Sequence, residues 1–163
     1  MKFFISAPFG NYLKFQNAIS VTGSWTVEPR PGLAWQILKT LRYVRSEAGW
    51  SWRNKIGLRN AGIHEGIKRR GSFDVLSIAP IHKWDWVNFE SIIHENQSIE
   101  VNISCPNLDS KDDATSFPYF DAFPKTQRYW CICKIPPTAT YDLVDKIVDS
   151  GYNQIHASNT LPS

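Results

Sequence analysis

From residue 73 onward the chain alternates apolar runs of strand length with amphipathic stretches of helix length, and this alternation restricts the fold more than any other feature. Phe73 to Ile78 reads as a strand. Trp86, Phe89, Glu90 and Ile93 fall on one face of a helix, which leads into a strand around Val101. Tyr129 to Ile135 is apolar almost throughout, the pattern of a strand covered on both faces of a parallel sheet. Thr140 can cap a helix whose inner stripe is Leu143, Val144, Ile147 and Val148, and Gly151 stops it. Gln154 to Ala157 reads as the last strand. Strand, helix and strand in repetition build a parallel α/β sheet.

The first half is less regular. Residues 11 to 22, with Leu13, Phe15, Ile19 and Val21, read as one or two short strands broken near Gln16-Asn17. After Pro29-Arg30-Pro31-Gly32, the residues Leu33, Ile37, Leu38, Leu41 and Val44 recur at helical spacing, and Gly49 closes that element. A loop rich in Trp and Asn and a short helical patch at Ile63 to Ile67 follow. Residues 108 to 127 carry two prolines and no clear period, which predicts a long loop with at most a short helix.

With 163 residues and 42% apolar content, residues 1–163 are read as one domain with a sizeable core. The net charge of +3 comes from basic residues mixed among acidic ones, so no nucleic-acid partner is expected. Lys68-Arg69-Arg70 reads as the exposed end of a helix. Cys105, Cys131 and Cys133 form no even disulfide framework and lack zinc-site spacing, so no metal is expected and a reducing, cytoplasmic setting fits. The apolar patch Phe3-Phe4-Ile5 is too short for a signal peptide, and no stretch approaches a membrane span. Neither a Gly-x-Gly-x-x-Gly nor a Walker loop is present.

The chemistry concentrates in residues 100 to 107, Glu-Val-Asn-Ile-Ser-Cys-Pro-Asn. Val101 and Ile103 alternate with Asn102 and Ser104, so one face can pack while the other presents hydrogen-bonding groups. Pro106 ends the strand and leaves Cys105 and Asn107 at its C-terminal mouth, where parallel α/β folds collect their ligands. This octet resembles the substrate loop of the dihydroorotate dehydrogenase family, flavin enzymes built on a TIM barrel. Asn54-Lys55-Ile56-Gly57-Leu58-Arg59-Asn60-Ala61-Gly62 resembles the family's Asn-x-x-Gly-Leu-x-Asn-x-Gly loop. Ser77-Ile78-Ala79, Lys134-Ile135-Pro136-Pro137 and Ser158-Asn159-Thr160 resemble its third, fifth and sixth strands, in family order.

The resemblance implies an FMN-dependent oxidation of dihydroorotate to orotate, in de novo pyrimidine (UMP) biosynthesis. Cys105 takes the position of the catalytic base in the family's soluble branch. Asn54, Asn102, Asn107 and Asn159 match the amides around the substrate ring, with Ile56, Gly57, Leu58 and Thr160 beside them. Amides carry both donors and acceptors, which suits a ring with alternating N–H and C=O edges. Lys134 matches the lysine at the flavin, where positive charge favours the reduced anionic form. Asn102 is expected to touch the cofactor as well. The lysine that the soluble branch carries on its second strand is replaced by Gly23, with Lys14 the nearest lysine that could take its place. Gly23 can also mark a bulge or a close approach of backbone to ligand.

A TIM (β/α)₈ barrel takes about 250 residues, so an incomplete barrel with about six of eight strands is expected. The family continues beyond the position of Ser163 into glycine-rich loops that hold the flavin phosphate. The chain is then part of a longer protein, or is completed by another chain or a second copy, or is no longer an enzyme. Two other readings stand beside the leading one. One is a related flavin enzyme acting on another pyrimidine or on uridine in tRNA; the other is a non-catalytic barrel fragment that binds a partner chain.

Overall fold

The computed structural model describes residues 2–46, 49–104, 123–124 and 128–157. Its frame is a sheet of six parallel strands: β1 (Phe3–Ile5), β2 (Ala18–Trp25), β5 (Val75–Ile78), β6 (Ile99–Asn102), β7 (Cys131–Ile135) and β8 (Gln154–Ala157), paired in that order. Helices α2 (Ile63–Arg69), α3 (Lys83–Ile92) and α4 (Tyr141–Asp149) lie in the connections. This is the parallel α/β sheet expected from the alternation, and it agrees with the incomplete (β/α) barrel that the resemblance implies.

The sheet is curled. Neighbouring strands lie about 4.8 Å apart, so the edge strands of a flat six-stranded sheet would be roughly 24 Å apart. Yet Ser6 Oγ, just past β1, lies 3.4 Å from His156 Nε2 on β8. Near the other end of the sheet, Phe4 packs edge-on against Trp130 with ring centroids 5.2 Å apart, and Lys2 Nζ donates to the Tyr129 hydroxyl at 2.6 Å. The two edges therefore face each other across an interior.

Alternation along each strand sorts the side chains between the two faces. Leu76, Ile78, Ile99, Val101, Cys131, Cys133 and Ile135 are buried in a cluster with Ile63 of α2, Trp86 and Phe89 of α3 and Ile147 of α4. Val21, Val75 and Ile132 form a separate apolar cluster that also takes in Ala7, Ile19 and Trp130. On β6 and β7 the residues in antiphase with the first cluster are Glu100, Asn102, Ile132 and Lys134.

Local chemistry explains both ends of α4. The Thr140 hydroxyl accepts the Leu143 N–H at 3.3 Å and caps α4. At the other end Gly151, at φ +92°, directs its own N–H to Val148 O and that of Tyr152 to Ile147 O, the paired bonds of a Schellman stop.

Three expectations change. Val148, read on the inner stripe of α4, lies at the edge of that stripe and is exposed, whereas Ile147 is buried. The helix from Leu33 ends at Thr40 (α1), and Arg42–Ser46 (β3) pairs antiparallel with Gly49–Arg53 (β4). Leu41 and Val44 meet the helical period by coincidence; Tyr43 pairs with Trp52 and Arg45 with Trp50, and Tyr43 stacks on Trp50 at 5.0 Å. Gly49, at φ +108°, opens β4 and does not end a helix. Leu13 and Phe15 lie outside β2 and are exposed; the N-terminal strand is instead Phe3–Ile5.

Candidate functional site

At the C-terminal mouth of the strands lies a cavity of about 860 Å³. Gly23, Asn54, Ile56, Gly57, Leu58, Asn102 and Lys134 all stand on its wall. Three different strands and the 54–62 loop supply them, so the topology unites residues up to 111 positions apart in sequence, Gly23 to Lys134. Cys105, Asn107, Asn159 and Thr160 lie outside the described residues. Asn102 ends β6 at this mouth.

Asn60 holds the 54–62 loop in place. Its Oδ1 accepts from Gly62 N at 2.8 Å and Thr26 N at 3.2 Å, and its Nδ2 donates to Leu58 O and Thr26 Oγ1. A backbone bridge between Arg30 and Asn60 adds two hydrogen bonds, at 2.8 and 3.0 Å. The Oδ1 of Asn54 accepts Ile56 N–H at 3.2 Å, closing an Asx turn. Asn54 therefore shapes its own loop with its acceptor, and its amide N–H groups remain for the cavity.

Gly23 marks a bulge: the pairing of β2 with β5 shifts register between Thr22 and Trp25. Its φ of +117° suits glycine, and a Cβ there would lie 2.4 Å from Ser77 O. The Asn11 side chain takes up both backbone groups, accepting Gly23 N–H at 2.9 Å and donating to Gly23 O at 3.3 Å. Lys14, the nearest lysine in sequence, bonds Asp74 Oδ2 at 2.6 Å, at the start of β5, opposite the mouth. It does not replace a second-strand lysine.

The electrostatics of the wall have one sign. Arg30, Arg59, Arg69 and Lys134 line the cavity, and among the described residues no Asp or Glu does. Arg69 is paired with Glu65 at 2.6 Å, which holds the Glu65 carboxyl below its usual range. The Nε atoms of Arg30 and Arg59 are buried and make no hydrogen bond among the described residues. Lys134 is buried, with 7% exposure, and among the described residues its ammonium has no side-chain hydrogen bond or ion pair. A buried cation that has no ion pair among the described residues favours an anionic or electron-rich ligand. Sequence reading found Lys134 but not the two arginines, because their place on the same cavity wall depends on the path of the loops.

Beneath Asn102 lies a polar chain that sequence reading also missed. Asn102 Nδ2 donates to Ser24 Oγ at 2.7 Å, Ser24 Oγ lies 2.8 Å from Ser77 Oγ, and Ser77 Oγ donates to Glu100 Oε1 at 2.7 Å. The other Glu100 oxygen meets His156 Nδ1 at 2.7 Å. Glu100 is fully buried, so these partners replace water around its carboxylate. Cys131 and Cys133 belong to the outer core; burial pushes the Cys131 thiol up to about 12 and raises Cys133 further. Neither suits nucleophilic or base chemistry.

The chain is similar in sequence to the catalytic subunit of dihydroorotate dehydrogenase B (NAD(+)) from Endomicrobium trichonymphae. The two are 26% identical over 159 residues, covering 88% of this chain and 50% of that protein. The chain thus spans about half the length of the curated relative it matches. No family model matches it. The similarity bears out the resemblance carried by the motifs, and the parallel half-barrel agrees with it.

Proposed function

We propose that this chain is the part of a dihydroorotate dehydrogenase-like flavoprotein that carries the substrate pocket, and that it serves FMN-dependent oxidation of dihydroorotate to orotate in pyrimidine biosynthesis. The observation that carries this reading is the cationic cavity wall, with buried Lys134 and Asn102 on adjacent strands at the mouth of a parallel half-barrel. Dihydroorotate is an anion with a planar array of amide edges. A wall of arginines, lysine and asparagines matches both properties.

The described residues also fit a flavin. Lys134 and the uncommitted N–H of Asn102 offer donors and positive charge, while the flavin's pyrimidine edge carries acceptors at N1 and its two carbonyls and gains negative charge on reduction. The flavin, when bound, supplies the hydride acceptor. The chain's own residues then have three tasks. Arg30 and Arg59 attract the carboxylate, the 54–62 loop fixes the ring through Asn54 and its backbone, and Lys134 holds charge beside the electron acceptor. Cys105, immediately after the Ser104 turn, is the proposed base for the carbon-bound proton. A free thiol has a pKa near 8.5, so its thiolate form must be favoured by its surroundings or used as a minority species.

The experiment is anaerobic mixing of the FMN-loaded chain with dihydroorotate, followed by flavin absorption near 450 nm, a generic property of oxidised flavin. Bleaching that is lost in Cys105→Ala is the expected result. A folded, flavin-loaded chain that dihydroorotate does not bleach would sink the reading.

A further inference from the structure

We infer that Glu100 is a positioning residue: as the buried end-acceptor of the chain Asn102, Ser24, Ser77, Glu100, it fixes the Asn102 amide so that an N–H donor, and not the carbonyl, faces the cavity. The inference deepens the reading above, on which its consequence for ligand choice rests. The orientation itself follows from the protein alone.

The direction of each bond can be worked out from the two ends. A carboxylate accepts and cannot donate. Ser77 O–H must therefore point at Glu100 Oε1, leaving the Ser77 oxygen to accept from Ser24. Ser24, having spent its one proton on Ser77, can only accept from its other neighbour, which must then be an Asn102 N–H. At the opposite side of the amide, a backbone N–H can only donate. Ser104 N lies 3.0 Å from Asn102 Oδ1, and Ser104 Oγ donates to the same oxygen at 2.7 Å. Both ends give the same orientation. The carbonyl of Asn102 is saturated inside the protein, one N–H is spent on Ser24, and the second N–H is left over. Asn102 is 6% exposed and lies on the cavity wall, so that proton is what a ligand meets.

His156 secures the far end. With the carboxylate accepting, its Nδ1 carries the proton toward Glu100 Oε2, and its Nε2 faces the Ser6 hydroxyl. Both carboxylate oxygens are thereby engaged, one toward the site and one toward the seam between β8 and β1. The consequence is a specificity rule. The ligand atom beside Asn102 has to be a hydrogen-bond acceptor, such as a ring carbonyl, a carboxylate or an unprotonated ring nitrogen.

The test uses ¹⁵N-labelled ligand-free chain and reads the side-chain amide of Asn102, assigned by its loss in Asn102→Asp. Wild-type protein is expected to show two well-separated, slowly exchanging protons. Ser24→Ala removes the link without touching the Glu100 and His156 pair and should speed their exchange at least about tenfold. Glu100→Gln, which keeps shape but not compulsory acceptance, should do the same, and Ser77→Ala replaces it if that variant does not fold. Ser24→Thr, which keeps the hydroxyl, should restore the wild-type spectrum. Unchanged Asn102 signals in folded Ser24→Ala overturn the inference. Orotate titrated into the FMN-loaded chain separates this from the functional reading. If the wild type binds neither FMN nor orotate while the amide responds as described, the functional reading fails and the positioning role stands.

Discussion

Restoring the second-strand lysine that the family resemblance would place at Gly23 should damage the protein, and the cost can be worked from the backbone. Gly23 sits at φ +117°, where an L-residue pays about 1–3 kcal/mol of strain. A Cβ at this point would also lie 2.4 Å from Ser77 O and 2.9 Å from Trp25 N, closer than atoms tolerate. Backbone of two strands must move, an overpacking cost of about 1–3 kcal/mol. Gly23→Ala and Gly23→Lys should each lose about 2–6 kcal/mol, or roughly 4–24 °C in Tm for a chain of this size. Gly32→Ala separates the two contributions, because Gly32 has φ +91° but a Cβ there would meet nothing within 4 Å; it should lose about 1–2 kcal/mol. Urea and thermal unfolding followed by circular dichroism supply the numbers, with FMN quenching alongside. Gly23→Lys melting within about 2 °C of wild type and binding FMN more tightly would refute the reasoning, since the bulge would then be replaceable by an ordinary strand.

Cys131 and Cys133 should resist a thiol reagent at pH 8 in the native state and react after unfolding, because burial keeps both protonated; rapid native labelling of either counts against the outer-core placement. The same shifts set an alkaline trend. Folded thiols keep their protons to higher pH than unfolded ones, whose pKa is near 8.5, so the unfolded state loses protons first and stability falls as pH rises above that value. The slope reaches about 1.4 kcal/mol per thiol per pH unit, and Cys133→Ala should flatten it when urea midpoints are compared from pH 8 to 10. Ile147→Ala should cost about 2–5 kcal/mol, since Ile147 is wholly buried under the sheet, whereas Val148→Ala, at 57% exposure, should cost under about 1 kcal/mol; equal losses would contradict the register of α4.

How much of this was legible in the sequence depended on how local the signal was. The strand ending in Ile135, the Thr140 cap, the Gly151 stop and the final strand are each written in a few adjacent residues, and each is found where expected. The β3–β4 hairpin was not legible because Leu33, Ile37, Leu38, Leu41 and Val44 satisfy a helical period that the backbone leaves after Thr40. Phe3–Ile5 is too short to carry a period, and only pairing with β2 makes it a strand. In the site, the motif residues on the cavity wall were readable one by one. Arg30 and Arg59 were not, since loop geometry alone brings them to the cavity wall that Lys134 also lines. Glu100 did leave a trace: in a strand it shares a face with Asn102, two residues on. His156 and Ser77 become its partners only through the order of the parallel strands.

The most direct test of the account is titration of FMN against wild-type chain and against Lys134→Met, with flavin fluorescence as the signal and circular dichroism as the check on folding. Saturable quenching by the wild type, weakened at least about tenfold in Lys134→Met, is the predicted result and corresponds to about 1.4 kcal/mol or more from one buried cation. A folded wild-type chain that leaves flavin fluorescence unchanged, or a Lys134→Met chain that quenches equally well, would contradict the assignment of this cavity to a flavin.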